Sequence, residues 1–233
     1  MNKRKANNKK IELILFDMDG TLVNYPNEPF HASWDVFPEV LSEQKKREWF
    51  DIREFYLRKK GFYDEWFDKQ LNLIKGISVE NVYNAFFPIP YSKGVESFFS
   101  SLNGGYVKGI VSSGVGFVAE KIKNDLKFDF QLSSDLEVKF GKFTGNGKMN
   151  FDFYEKDKVV ADISRECNVK LENVCYIGDH FNDVPAFNIV GLSVAFNPKN
   201  KELEKKADYV IYDFMKLNKI LKKENKNEHP NIF

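Results

Sequence analysis

The sequence predicts an α/β protein built on a parallel β-sheet, with a helical segment inserted after the first strand. Three observations carry this expectation. Short apolar runs alternate with helix-like stretches along most of the chain, the pattern of strands joined by right-handed crossovers. Two of those runs end in acidic pairs: residues 13–16 lead into Asp17-Met18-Asp19, and residues 174–177 lead into Gly178-Asp179 and, shortly after, Asp183. All three tryptophans (Trp34, Trp49 and Trp66) lie between residues 24 and 90, a stretch bracketed by Pro26 and Pro29 on entry and by Pro88 and Pro90 on exit.

In order along the chain, residues 11–16 are bulky and apolar, as befits a strand buried on both faces. Residues 40–59 have amphipathic helical periodicity. Residues 94–102 read as a helix running to an Asn103-Gly104 turn, and 106–111 as a strand that stops at Ser112-Ser113-Gly114. A helix over 115–126 follows. A hairpin is expected next, with Leu136, Val138 and Phe140 alternating on one arm and Met149, Phe151 and Phe153 on the other, around Asn146-Gly147. Residues 156–167 are helical by period, 174–177, 192–196 and 209–212 are strands, and 201–206 and 214–221 are helices. The tails at 1–10 and 222–233 are expected to be flexible.

Bulk properties exclude several classes. The chain has 233 residues, which suits a main domain with a smaller insertion, and its formal net charge of +1 supplies no global field for nucleic acid or a membrane surface. The bases at Lys3, Arg4, Lys5, Lys9 and Lys10 have no interleaved aromatics and read as a solvated tail. Cys167 and Cys175 lack metal-ligand spacing and are too few for a disulfide framework, so buried thiols in a reducing compartment are expected. The apolar run at 11–16 is too short for a signal peptide and contains Glu12, and no stretch approaches membrane-spanning length. The expectation is a cytoplasmic protein, a monomer or homodimer, with no nucleic-acid or membrane partner. Gly145 and Gly147 lack the third glycine of a dinucleotide fingerprint.

The acidic pairs carry the chemistry. Side chains two apart on a strand share a face, so Asp17 and Asp19 leave their strand together. Acids held close at the end of a buried strand repel one another, a poor core and a good seat for a divalent cation. If the two acid-ended runs are neighbouring parallel strands, both open into the crevice where α/β sheets bind ligands.

Four segments then resemble the motifs of the haloacid dehalogenase superfamily, in order: DMDGTLV from Asp17 to Val23, IVSSG from Ile110 to Gly114, a lysine near Lys158, and GDHFND from Gly178 to Asp183. The helical insertion, the GKFTG stretch from Gly141 to Gly145 and VAFNPK from Val194 to Lys199 are most similar to the phosphoserine phosphatase branch. The resemblance implies a Rossmann-like core over 1–23 and 91–233 and a helical cap over 24–90.

The resemblance also implies a Mg²⁺-dependent hydrolysis of a small phosphomonoester through an aspartyl-phosphate. Asp17 would be the nucleophile. Asp19 would protonate the leaving alcohol and later activate water. An anionic nucleophile needs a cation to approach an anionic phosphate, and Mg²⁺ favours oxygen ligands from Asp17, the Asp19 carbonyl and Asp179, with Asp183 behind them or linked through water. Ser112, with the amides of Ser113 and Gly114, would hold phosphate oxygens. Lys158 would supply fixed charge, with Lys156 as its rival. His180 stands where glycine is usual, either touching substrate or as a tolerated surface residue. The acid expected after the first motif has no match at Pro26, though Glu28 is near, and no arginine stands near 68–70, so phosphoserine itself is not specified. Trp34, Phe37, Phe55, Phe62 and Trp66 either line the cap or form its core. A phosphotransferase and a nucleotide phosphatase are the neighbouring alternatives, and a non-catalytic phosphate-ligand binder is the alternative of another class.

Overall fold

Strand β1 (Leu13–Phe16) is buried along its whole length and sits at the centre of the sheet. The computed structural model describes residues 10–27, 31–103 and 105–225. The tails expected to be flexible, the basic cluster before Lys10, Glu28, Pro29 and Gly104 lie wholly or partly outside these. The other strands are β2 (Val107–Val115), β3 (Phe130–Lys139), β4 (Lys142–Lys148), β5 (Val174–Gly178), β6 (Leu192–Phe196) and β7 (Tyr209–Ile211). They form a seven-stranded sheet in the order β4-β3-β2-β1-β5-β6-β7, parallel throughout except for β3 with β4.

Period-two alternation divides the core. Ile14 and Phe16 face one side, packed with Phe98 of α4 (Val95–Ser101), Val118 and Ile122 of α5 (Gly116–Leu126) and Leu217 of α9 (Met215–Asn225). Leu13 and Leu15 face the other, with Val160 of α6 (Lys156–Glu166), Phe187 of α7 (Val184–Ile189) and Leu203 of α8 (Lys201–Lys206). Burying each such side chain contributes about 1.5–3 kcal/mol. The fold is thus the predicted α/β sheet, mostly parallel, and it carries helices on both faces. The chain leaves β1 toward β2 on one flank and returns to β5 on the other, so the strand order reverses beside β1. That is where α/β sheets open a crevice at their carboxyl ends.

Between β1 and β2 the chain forms a 3₁₀ segment (Ser33–Val40), then α1 (Glu43–Tyr56), α2 (Tyr63–Ile74) and α3 (Val79–Phe86), before α4. The ends of this excursion meet: Val23 bridges Tyr91, and the Asn24 amide donates to the Pro90 carbonyl at 2.9 Å. Aromatics hold its base. The Phe37 ring lies 5.9 Å from Trp49, 5.2 Å from Phe86 and 5.7 Å from Phe143 of β4.

Three expectations need correction. The hairpin turns at Phe140-Gly141, with φ of 51° and 71°, and not at Asn146-Gly147, which lie inside β4. A two-residue hairpin turn with positive φ at both centres matches the twist of the strands. Phe153 is accordingly not in a strand; its ring packs 5.7 Å from Tyr63. Strand β2 runs on to Val115, with its register against β3 shifting between Val111 and Val115. Residues 222–225, expected in the loose tail, are helical, and Asn225 accepts a 2.8 Å bond from the Ile11 amide at the start of the sheet. Among the described residues no helix is long and apolar enough to cross a membrane.

Candidate active site

Asp17 directly follows β1, and its amide still donates to Ile177 of β5 at 2.9 Å. The ladder thus carries the two acidic strand ends to the same level. Asp17 and Asp179 are buried side by side, and together with Asp183 they offer carboxylate oxygens all within 4.8 Å of one another. Two glycines make the room. A Cβ on Gly20, whose φ is 75°, would collide with the Asp179 carboxylate, and one on Gly178 would collide with that of Asp183.

Each carboxylate is held differently. Asp17 accepts from the Met18 amide at 2.7 Å and from Lys156 Nζ at 2.8 Å. Asp179 accepts from Thr21 Oγ1 at 3.0 Å. Asp183 accepts from Lys156 Nζ at 2.6 Å, from the Tyr176 hydroxyl at 3.0 Å, and from the amides of Asp179 and His180 at 3.0 Å each. Four donors fill the lone-pair sites of that carboxylate. Asp183 thus orients Lys156 and the Asp179 loop, in keeping with the expected place behind the direct ligands, while one of its oxygens stays within 4.8 Å of those of Asp17 and Asp179.

The lysine is Lys156 and not Lys158. Lys156 is fully buried between Asp17 and Asp183, whereas Lys158 is exposed and pairs with Glu155 at 2.6 Å. The cause is helical phase. Lys156, Val160 and Ile163 share the buried face of α6 at i, i+4 and i+7, and Lys158 points away from it. That stripe was present in the sequence and would have identified the right lysine.

Asp19 is clamped from the insertion. The Ser33 amide and hydroxyl donate to its two oxygens, each at 2.8 Å. Sequence reasoning missed Ser33, which carries no motif signal of its own, and gave Thr21 no role although it stands inside the DMDGTLV stretch. Ser112 is buried at the irregular stretch of β2, and both Ser112 and Ser113 line the crevice. The Gly114 amide, expected to face phosphate, instead donates to Ser112 Oγ at 3.2 Å, and Gly114 does not line the crevice. The Ser113 carbonyl is anchored by Trp34 Nε1 at 2.9 Å and Ser134 Oγ at 3.0 Å.

Burial sets the electrostatics. It pushes Asp17 up to about 6, against the Lys156 charge that pulls it down. It pushes Asp19 up to about 7, against the two Ser33 hydrogen bonds. Burial, with Asp183 and Asp17 adding, holds Asp179 well above the usual carboxylate range. Burial also lowers Lys156, but the charges of Asp17 and Asp183 outweigh it and keep the ammonium. Burial lowers His180 as well.

The crevice encloses about 330 Å³. Its floor is Asp17, Asp19, Asp179 and the two serines, and its far wall comes from the insertion: Trp34, Arg53, Tyr63, Trp66 and Gln70. Phe37 is in the buried base, while Phe55 and Phe62 are 57% and 52% exposed, so the expected aromatic set splits three ways. Arg53 Nη1 pairs with the buried Asp35 carboxylate at 2.6 Å. Trp66 Nε1 and Asn182 Oδ1, both on residues lining the crevice, are buried and lack a hydrogen-bond partner among the described residues. His180 lines the crevice too.

Against known proteins, the family of haloacid dehalogenase-like hydrolases matches residues 14–188. A phosphoserine phosphatase of Methanocaldococcus jannaschii is 33% identical over 206 residues, 87% of this chain and 93% of that protein. One from Archaeoglobus fulgidus is 30% identical over 82% of this chain, which spans about half (54%) of that longer relative. A substrate-bound phosphoserine phosphatase complex superposes with a TM-score of 0.73 at 30% identity, covering 91% of this chain and 99% of the other. A phospho-aspartyl intermediate analogue of phosphoserine phosphatase gives 0.72 at 30% identity, with the same coverage of both chains.

Proposed function

This chain belongs to the haloacid dehalogenase-like hydrolase family, in its phosphoserine phosphatase-like branch, and we propose that it is a phosphatase that cleaves a small phosphomonoester through an aspartyl-phosphate on Asp17. The observation that carries the proposal is the buried Asp17–Lys156–Asp183 chain beside Asp179, at the carboxyl ends of two adjacent parallel strands.

The residues suit Mg²⁺. Three buried carboxylates cluster with one buried ammonium, that of Lys156, among the described residues, and carboxylates are the hard oxygen donors this ion takes. Asp17 and Asp179 would hold it, with Asp183 fixing their loop. Bound there, Mg²⁺ would neutralise the phosphate and let an anionic nucleophile approach. Lys156 adds fixed positive charge to Asp17, and Ser112 with Ser113 faces the remaining phosphoryl oxygens.

In the first step an Asp17 oxygen attacks phosphorus, the ester P–O bond breaks, and Asp19 gives its proton to the departing alcohol. In the second, Asp19 takes a proton from water, whose oxygen attacks the same phosphorus and releases inorganic phosphate and the free Asp17 carboxylate. A carboxyl raised to about 7 is well matched to both transfers near neutral pH.

The segment from residues 24 to 90 acts as a cap that reads the leaving group. Arg53 and Asp35 place a cation and an anion on the far side of the crevice from the phosphate floor, and Trp66 Nε1 adds an unspent donor. These suit a leaving group with a carboxylate and an ammonium, and the named relatives make phosphoserine the first candidate. Phosphate release from 4-nitrophenyl phosphate and from phosphoserine with Mg²⁺ tests the proposal. Asp17→Asn should retain less than about one-thousandth of the rate. Equal rates for the two proteins would remove Asp17 from the mechanism.

A further inference from the structure

Asp19 owes its orientation to a residue outside the core that carries the other acids. We propose that Ser33 is a positioning residue for proton transfer, holding the Asp19 carboxylate toward the leaving group; the role rests on the phosphatase reading above.

Ser33 is fully buried and opens the 3₁₀ segment of the insertion. Its amide donates to Asp19 Oδ1 and its hydroxyl to Oδ2, both at 2.8 Å. The hydroxyl oxygen also accepts from the Val115 amide at 3.1 Å. With that lone pair occupied, the hydroxyl proton is left pointing at Asp19. The next residue, Trp34, ties the irregular end of β2 that carries Ser112 and Ser113, through the Ser113 carbonyl at 2.9 Å. Two neighbouring residues of the insertion thus set Asp19 and the serines at the end of β2 relative to each other.

Physical chemistry says why this matters. The terminal torsion of an aspartate is broad and roughly two-fold, so the carboxyl plane is not fixed by rotamer preference. Two charge-assisted bonds, one to each oxygen, fix it. The surroundings close the other side: a Cβ on Gly114 would collide with Asp19 Oδ2 and come within 3.0 Å of Ser33 Oγ. A capping role does not account for the hydroxyl. The cap of the 3₁₀ segment is Ala32, with no side-chain bond, and Ser33 spends its proton on Asp19.

The experiment compares full-length wild type, Ser33→Ala and Ser33→Thr with Mg²⁺ on two aryl phosphates of similar size. Phenoxide is a poor leaving group that needs a proton; 4-nitrophenoxide leaves without one. Single-turnover release of phenol from phenyl phosphate should fall about 10- to 100-fold in Ser33→Ala, part of the usual worth of general acid catalysis. Release of 4-nitrophenolate should fall less than about threefold, KM should stay within about twofold, and Ser33→Thr should recover most of the phenol rate. Equal loss on both esters, or no loss on either, overturns the role. If Ser33→Ala does not fold, Ser33→Cys and Ser33→Gly take its place, and failure of every hydroxyl-free variant to fold would make Ser33 a structural residue and overturn the role as well. A wild type inactive on both esters strikes the phosphatase reading instead.

Discussion

Lys156 is the residue on which the buried charges turn. Its ammonium touches Asp17 and Asp183 with no exposure to water, so Lys156→Met leaves those carboxylates unpaired in the interior. Breaking a buried pair in this way costs about 3–5 kcal/mol. A fall of that size in chemical denaturation, with loss of nearly all turnover, is the expected outcome. Lys158→Met removes only an exposed pair with Glu155 and should leave both stability and activity essentially unchanged. If the two variants behaved alike, the assignment of the lysine would fall. The distinction lay within reach of the sequence, because the phase of α6 is written in Val160 and Ile163. Ser33 did not: its contact with Asp19 spans a part of the insertion with no regular period, and nothing local marks it.

Among the elements, the strands and their acidic ends were legible because both signals are local. An apolar run sets the strand, and the acids follow within a few residues. Turns were less legible. Asn146-Gly147 has favoured turn chemistry, yet the hairpin reverses at Phe140-Gly141, where Phe37, Phe117 and other aromatics packed against Phe143 fix how the arms pair. The same substitution at two glycines separates the roles of loop and site. Gly141→Ala forces a Cβ onto a residue with φ of 71° in open space, and should cost about 1–2 kcal/mol without changing kcat. Gly178→Ala drives a Cβ into the Asp183 carboxylate, and should abolish Mg²⁺-dependent turnover, whatever stability survives. Thermal melts and steady-state rates on both proteins check this contrast.

For the whole molecule, three acids raised by burial make stability depend on pH in an unusual sense. Asp17 and Asp19 stand at about 6 and 7 against 3.8 when unfolded, and Asp179 is raised as well, so the folded state binds more protons than the unfolded one. Their contribution is fully present below about pH 4 and is lost as pH rises through 6 and 7, on the order of 3 kcal/mol for Asp17 alone. In EDTA the melting temperature should therefore drop between pH 5 and pH 8, and Mg²⁺ should remove most of that drop by favouring the ionised acids. A rise over the same interval in EDTA would contradict the burial of these groups. The fold as a whole was legible from alternating strands and helices, while the wall of the crevice was not, since side-chain directions in the insertion depend on how its helices pack. One last consequence follows from Thr21 meeting Asp179 across 158 positions of chain. On the ribosome the first aspartates emerge long before β5 is translated. A nascent fragment that stops before Lys156 carries the first aspartates without the lysine or the opposing acids, so the charged cluster cannot assemble in it.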